Sequence, residues 1–400
     1  MAGNWSDIAK EIRRASAVRR IARHVAWEAV ARPAPRDLSR VPYSIEALTP
    51  EYLTHILCAA HPGARVESII SGKRRYGSTD GCAFSVSYND AGEKAGLAKR
   101  FFHKFAANFY SRLHLLRIGI DQNEVNFYNR IKPQINIETP HCYHAAYEAD
   151  SCRSSIILED IVSEKGARFF ESDTPLTRRD IEGMVALLAD LHAHWWQSER
   201  LENEFTWLLD PVDYIHILMD GLELKERSMK QGMARAASVL PEAFAGREER
   251  IWTAFMNSMA ITRSGPVTFL HFDPHLRNYY RTADGTIGLA DWQATMKGTW
   301  SHDFAYALIT SLKIDDRREW EKDLLDFYLE RLKRQGVKAP RFNDAWQMYR
   351  RQTLYTLIAW LVTIGAGELQ PNMQPDTESL QMISRAAAAI DDLESLRLLS

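Results

Sequence analysis

Several absences narrow this 400-residue chain. It has four cysteines, Cys58, Cys82, Cys142 and Cys152, and no Cys-x-x-Cys pair. With no secretory segment recognised at the N-terminus, they are expected to be reduced, buried, small apolar fillers in a cytoplasmic protein. No apolar run approaches the twenty or so residues of a membrane span, and none is expected. An excess of one charge is missing too. The 50 Lys and Arg against 52 Asp and Glu give a net charge of −2. Bulk attraction to a polyanion is thereby excluded, and no nucleic-acid partner is expected. Internal repeats, low-complexity tracts, a Walker A loop and a Gly-x-Gly-x-x-Gly fingerprint are all absent. The remainder, 46% hydrophobic and 26% charged, is a globular composition long enough for more than one core.

Three segments divide the chain. Residues 1–50 are expected as an N-terminal helical extension. Its Arg-rich helix is left open between packing on the body, binding a partner and lying against a membrane surface. Residues 51–158 carry strand signals: 65–70, then 82–88, then a turn at 89–92, then 96–101 pairing back as a small antiparallel unit. Asp121 is positioned to cap a helix over 122–130 with Glu124 in its first turn. A short apolar strand, 154–161, closes this part. Beyond it, 159–400 is expected to be mostly helical, with helices over 179–196, 222–240, 248–259, 303–312, 317–335, 342–363 and 377–396. One β-rich interruption spans 266–290, with Asp284-Gly285 as a hairpin turn.

Within that interruption lies His271-Phe-Asp-Pro-His-Leu-Arg-Asn278. His271, Asp273 and His275 alternate and would suit a metal on an extended strand, but Pro274 breaks the strand. A second pattern is His-x-Asp-x-x-x-x-Asn, which suits phosphoryl transfer. Asp273 would orient an attacking hydroxyl and Asn278 would help hold Mg²⁺. A second anionic metal ligand is then required. Asp291, in the triplet 291–293, is returned beside Asn278 by the hairpin. The same chemistry needs a cation on the nucleotide phosphates. Lys99, at the end of the expected strand 96–101 and steadied by Glu124, is assigned that place. The loop 72–81 would cover phosphates with its backbone and with Ser78 or Thr79.

These residues resemble the aminoglycoside phosphotransferase and choline kinase-like superfamily, nearest its ecdysteroid kinase-like branch. The octet resembles that superfamily's His-Gly-Asp-x-His-x-x-Asn loop, and Asp291-Trp-Gln293 its metal-binding triplet. Gly298-Thr-Trp-Ser-His-Asp303-Phe-Ala-Tyr306 and Leu191-His-Ala-His-Trp-Trp196 resemble its bracing segments, and 139–146 and 157–161 its strand and hinge. The resemblance spans about residues 60–310 and is densest over 268–306. It implies an α+β, bilobal protein-kinase-like fold: a small antiparallel N-lobe sheet with helices, a larger helical C-lobe, and nucleotide between them at a hinge near 158–163. His271, His275 and Asp303 become loop supports. Phe272 stands where that superfamily commonly has glycine.

The function implied is O-phosphorylation of a small-molecule hydroxyl, with Mg²⁺ and ATP, or GTP, as donor. The alternative is a catalytically silent kinase-like binding protein, against which the intact residue set argues. Arg277 is open between contact with phosphate or substrate and a surface ion pair. Trp207, Tyr214, Trp252, Trp346 and Tyr355 either line an apolar acceptor pocket or belong to the core. Acceptor identity and oligomeric state are not readable from the sequence.

Overall fold

In a computed structural model of the chain, residues 2–77, 79–221, 226–365 and 375–399 are described, without the side chains of residues 2–14. They fall into two compact units: residues 1–133 with 140–166, and residues 134–139 with 167–400. The N-terminal extension is therefore part of the first unit rather than a separate body. The change of unit lies at 166/167, not 158/159.

The first unit contains, in chain order, α1 (Ala2–Ala31), α2 (Pro50–Leu57), β1 (Val66–Arg75), β2 (Asp80–Tyr88), α3 (Asp90–Lys94), β3 (Arg100–Phe105), α4 (Phe109–Arg117), α5 (Asn123–Asn126), β4 (Cys142–Glu148), β5 (Arg153–Glu159) and α6 (Ile161–Glu164). The strands form one antiparallel sheet in the order β1-β2-β3-β5-β4. Strand alternation places Phe101, His103 and Phe105 of β3 in the interior and sends Phe102 and Lys104 to the opposite face. Phe84, Val86, Phe101, Phe105 and Ile157 pack with Tyr52, Leu53 and Leu57 of α2 into one core cluster. Each such side chain contributes roughly 1.5–3 kcal/mol by leaving water.

Two sequence expectations shift here. The third strand begins at Arg100 instead of residue 96, because Asn89 caps the short α3 through the Gly92 amide and the chain stays helical to Lys94. Asp121 does not cap the next helix. Its carboxylate takes the Tyr147 hydroxyl, and α5 starts at Asn123 without a side-chain cap.

The N-terminal helix is held by a buried ion pair. Glu28 is 2% exposed and accepts from both Arg112 terminal nitrogens at 2.9 and 2.6 Å, while Arg112 Nε donates to the Ala106 carbonyl at 2.9 Å. Two parallel charge-assisted bonds fix the angle at which α1 meets α4.

The second unit contains β6 (Arg168–Phe169), α7 (Arg178–Trp195), α8 (Arg200–Asn203), α9 (Pro211–Gly221), α10 (Glu226–Arg235), α11 (Glu248–Ile261), β7 (Val267–Leu270), β8 (Tyr279–Arg281), β9 (Ile287–Leu289), β10 (Met296–Thr299), α12 (Ser301–Ser311), α13 (Ile314–Arg334), α14 (Phe342–Arg351), α15 (Leu354–Ile364), α16 (Asp376–Asp392) and α17 (Ser395–Leu398). The α+β class is as expected. α7 begins with a Thr177–Asp180 capping box and buries Ile181, Met184, Val185, Leu188, Leu191 and Trp195 at helical spacing. The expected helix over 342–363 is broken into α14 and α15 at Gln352, whose amide donates to the Ser258 carbonyl at 3.0 Å. The expected helix over 222–240 is observed as α10, and residues 222–225 lie outside the described residues.

β8 and β9 form the hairpin, with Gly285 at φ +90° in its turn. Gly288 is required because a Cβ there would meet the Tyr280 ring at 2.2 Å. Residues 134–139 belong with this hairpin: Leu289 N donates to the Glu138 carbonyl at 3.1 Å, and Trp292 Nε1 donates to Thr139 Oγ1 at 2.8 Å.

Removing Glu28 alone leaves the Arg112 guanidinium buried without its partner. Glu28→Ala is expected to lose about 3–5 kcal/mol of stability. The urea midpoint measures this, and a midpoint equal to that of the parent would show that the pair does not anchor α1.

Candidate active site

The octet follows β7, which pairs with β10, and α12 begins directly after β10. Asp303, in the first turn of α12, therefore lies beneath the loop. It is fully buried and accepts from the backbone of His271 at 2.7 Å on one oxygen and of Phe272 at 2.9 Å on the other. His192 Nε2 lies 3.3 Å from the same carboxylate, and its Nδ1 is 2.8 Å from the Tyr328 hydroxyl. Burial raises the Asp303 pKa. The His192 hydrogen bond and the electrostatic influence of the His192, His302 and His271 imidazoles outweigh it and hold the group below its ordinary value. Asp303 thus braces the loop from the first turn of α12.

Phe272 adopts φ +69°, the left-handed region that glycine enters without strain. Its ring is fully buried and stacks on His302 with centroids 4.2 Å apart and planes 2° from parallel. Tyr355 and Tyr214 close on the same ring at 4.9 and 5.6 Å.

Each remaining octet residue has a definite place. His271 is neutral: burial pushes its pKa down, against the Asp303 and Asp273 carboxylates. Its Nδ1 accepts the Asp273 N–H at 3.3 Å, so its Nε2 carries the proton toward the Ala290 carbonyl at 3.0 Å. Both nitrogens are thus engaged, which leaves the alternating metal motif without its first ligand. Among the described residues no group of three or more His, Cys, Asp or Glu is arranged to hold a metal. Asn278 Nδ2 donates to the Asp273 carbonyl at 2.9 Å, and the Ala290 N–H donates to the Asn278 carbonyl at 2.9 Å. These bonds tie the loop to the hairpin end, where Asp291 has φ +64° and partial exposure.

Asp273 keeps a third of its side-chain surface open, with His275 Nε2 3.6 Å from its carboxylate. Burial raises its pKa. His275 and His271 oppose that, Asp291 adds to it, and a hydrogen bond from Tyr306 opposes it. Tyr306 was not singled out from the sequence. It lies one turn beyond Asp303 on the same face of α12, a spacing visible only once Asp303 is known to face the loop. Arg277 is paired: Nη1 donates to Glu378 of α16 at 2.9 Å and Nε lies 3.4 Å from Glu171. Of the two roles open to it, the structure shows the ion pair.

In the first unit the expected Lys99–Glu124 pair is not formed. Lys99 lies before β3, half exposed, and pairs with Glu93 at 2.6 Å. Glu124 pairs instead with Lys104, also at 2.6 Å, with the two side chains only 13% and 7% exposed. The shift follows from β3 beginning four residues later than expected. Thr79 lies in the β1–β2 turn, partly exposed, and Ser78 lies outside the described residues.

A pH effect follows for His302, whose Nε2 donates to the Phe272 carbonyl at 3.2 Å. Burial outweighs the Asp303 charge and that hydrogen bond and depresses its pKa from 6.5 to about 4. The unfolded chain then binds a proton that the folded chain refuses. This stability is intact above pH 6.5 and is lost as pH falls toward 4. The urea midpoint is expected to drop over that window, with a shallower drop in His302→Gln. Parallel profiles for the two proteins would contradict it.

The ecdysteroid kinase-like family matches residues 86–339. The uncharacterized oxidoreductase dhs-27 of Caenorhabditis elegans is 20% identical over 247 residues, 57% of this chain and 29% of that protein, so the chain spans under a third of that relative's length. Among solved structures, choline kinase LicA from Streptococcus pneumoniae is 14% identical, covering 85% of this chain and 98% of that one with a TM-score of 0.48. Macrolide 2′-phosphotransferase MphH from Brachybacterium faecium is 12% identical, covering 84% and 95% with a TM-score of 0.42. The family match takes in well over half of the 400 residues, including β3, the octet, the hairpin and Asp303, and the chain belongs to the ecdysteroid kinase-like family.

Proposed function

We propose that this chain transfers the γ-phosphoryl group of ATP to the hydroxyl of a small, apolar molecule. The observation that carries the proposal is the doubly held octet. Asp303 fixes its start, Asn278 holds the Asp273 carbonyl, and the Asp273 carboxylate stays partly open beside Asp291. An Asp so fixed is suited to orient an acceptor hydroxyl and to receive its proton.

The residues present fit Mg²⁺. Its preferred donors are hard oxygens. With Asn278 Nδ2 committed to the Asp273 carbonyl, its Oδ1 is the atom left to bind, and Asp291 adds a carboxylate. Asn278 and Asp291 would hold the ion, which would neutralise charge on the phosphoryl oxygens. Lys104, in place of Lys99, is assigned to the non-reacting phosphates. An ion pair of low exposure positions its ammonium as a strand-end lysine in solvent is not positioned. Tyr214, Phe272, Tyr306 and Tyr355 around Asp273 present rings rather than acids, which supports an apolar acceptor over a polycationic one.

Four variants test the assignment, with turnover measured on a panel of hydroxyl compounds and labelled ATP by the mass shift of the product. Asp273→Asn is expected to lower turnover about a thousandfold while leaving MgATP affinity unchanged. Unaltered turnover would overturn its role. Lys104→Ala is expected to weaken ATP binding in calorimetry and Lys99→Ala to leave it unchanged; the reverse order would restore Lys99. Asp291→Ala is expected to remove the magnesium dependence of ATP affinity.

A further inference from the structure

The charge of this chain is unevenly placed. Between Arg13 and Arg40 lie eight arginines, no lysine, and two acids, Glu28 and Asp37, a net of +6 in a chain whose total is −2. The rest of the molecule is therefore at −8. The structure further separates these charges. Glu28 faces inward, 2% exposed, and is neutralised by Arg112. Asp37 follows the helix, and its carboxylate accepts from the Ser39 amide at 2.9 Å. From residue 15 to the end of α1, the outer face therefore shows no acid.

The same face carries apolar groups that the fold does not cover. Trp27 is 42% exposed and Val30 86%, while Ile21 on the inner side is 0% exposed. Arg19 and Arg23 are exposed between them, and the Arg40 guanidinium lies over the Trp27 ring at 5.8 Å. A helix that merely covers a core has Glu and Lys interspersed on its outer side. Arginine interleaved with an indole and a short aliphatic group on one exposed helix face is instead the composition of a helix lying at the headgroup level of a bilayer. There the guanidinium groups meet lipid phosphates and the indole rests between polar and apolar layers. A nucleic acid would need a groove or stacking platform, whereas this face is a single helix surface.

We propose that the outer face of α1, through Arg19, Arg23, Trp27 and Val30, docks the protein on an anionic lipid bilayer. No insertion across the membrane is implied: among the described residues no helix is long and apolar enough to cross one. The proposal does not depend on phosphoryl transfer.

The test is flotation of the full-length chain with vesicles of phosphatidylcholine alone and with about one-third phosphatidylserine. The chain is expected to float with the anionic vesicles and to remain in solution with the neutral ones. Molar salt should lower the bound fraction. The double variant Arg19→Glu/Arg23→Glu, and separately Trp27→Ser, are each expected to weaken binding about tenfold with an unchanged thermal midpoint. Both arginines are exposed, so the double variant decides should Trp27→Ser lower that midpoint. No flotation of the parent chain, or equal flotation of the double variant, overturns the proposal. It is equally overturned if the face instead mediates self-association, seen as a light-scattering mass that falls in the double variant without any vesicle binding.

Discussion

The carboxylate of Asp303 is the fixed point of the second unit. A fully buried charge is costly unless its lone pairs are satisfied, and here the donors are two successive backbone amides and one imidazole. Two neighbouring N–H groups can converge on one carboxylate only if the chain turns sharply between them. The left-handed φ of Phe272 supplies that turn. The loop then points Asp273 away from the brace, and His271 passes the constraint on by accepting from the Asp273 amide and facing the Ala290 carbonyl. Octet and hairpin end are thus held by a single chain of hydrogen bonds that begins at α12.

A bulky residue in the left-handed region costs on the order of 1–2 kcal/mol. Glycine would avoid that strain, and the resembling loops commonly carry it. This chain offsets it with burial: the Phe272 ring is removed from solvent, stacked on His302 and enclosed by Tyr214 and Tyr355. The loop itself therefore contributes a ring to the packing beside Asp273, which a glycine there cannot do. The residue that stands where glycine is common is packed into an aromatic cluster.

What was legible in the sequence was local. The five-residue interval from Asp273 to Asn278, the hairpin turn at Asp284-Gly285 and the position of Asp291 after it all lie within a few turns of chain; the structure forms the hairpin and bonds Asn278 to the Asp273 carbonyl. The helix of α7 was legible from its 3.6-residue period. Glu124 pairs with Lys104 and not with the expected Lys99 because the sequence has two plausible strand ends. Gly96–Phe101 reads as a strand by composition, but the alternation Phe101, His103, Phe105 against the core sets the register, and that face is known only once α2 is seen to cover it. Long-range partners were invisible for the same reason. Arg277 is engaged by Glu378, 101 positions away, and Asp121 by Tyr147. No spacing rule reaches across such intervals.

Brace and aromatic cluster share one helix, with consequences for how this site can vary. Asp303 and Tyr306 are three residues apart on α12, so both face the octet: one fixes its backbone and the other meets the Asp273 carboxylate. His302, on the same turn, supports the Phe272 ring. A change that rotates or shifts α12 would also move the brace. α9 and α15 supply Tyr214 and Tyr355 but do not hold the loop backbone. On the proposed function, differences in acceptor are therefore expected at positions 214 and 355 before position 306.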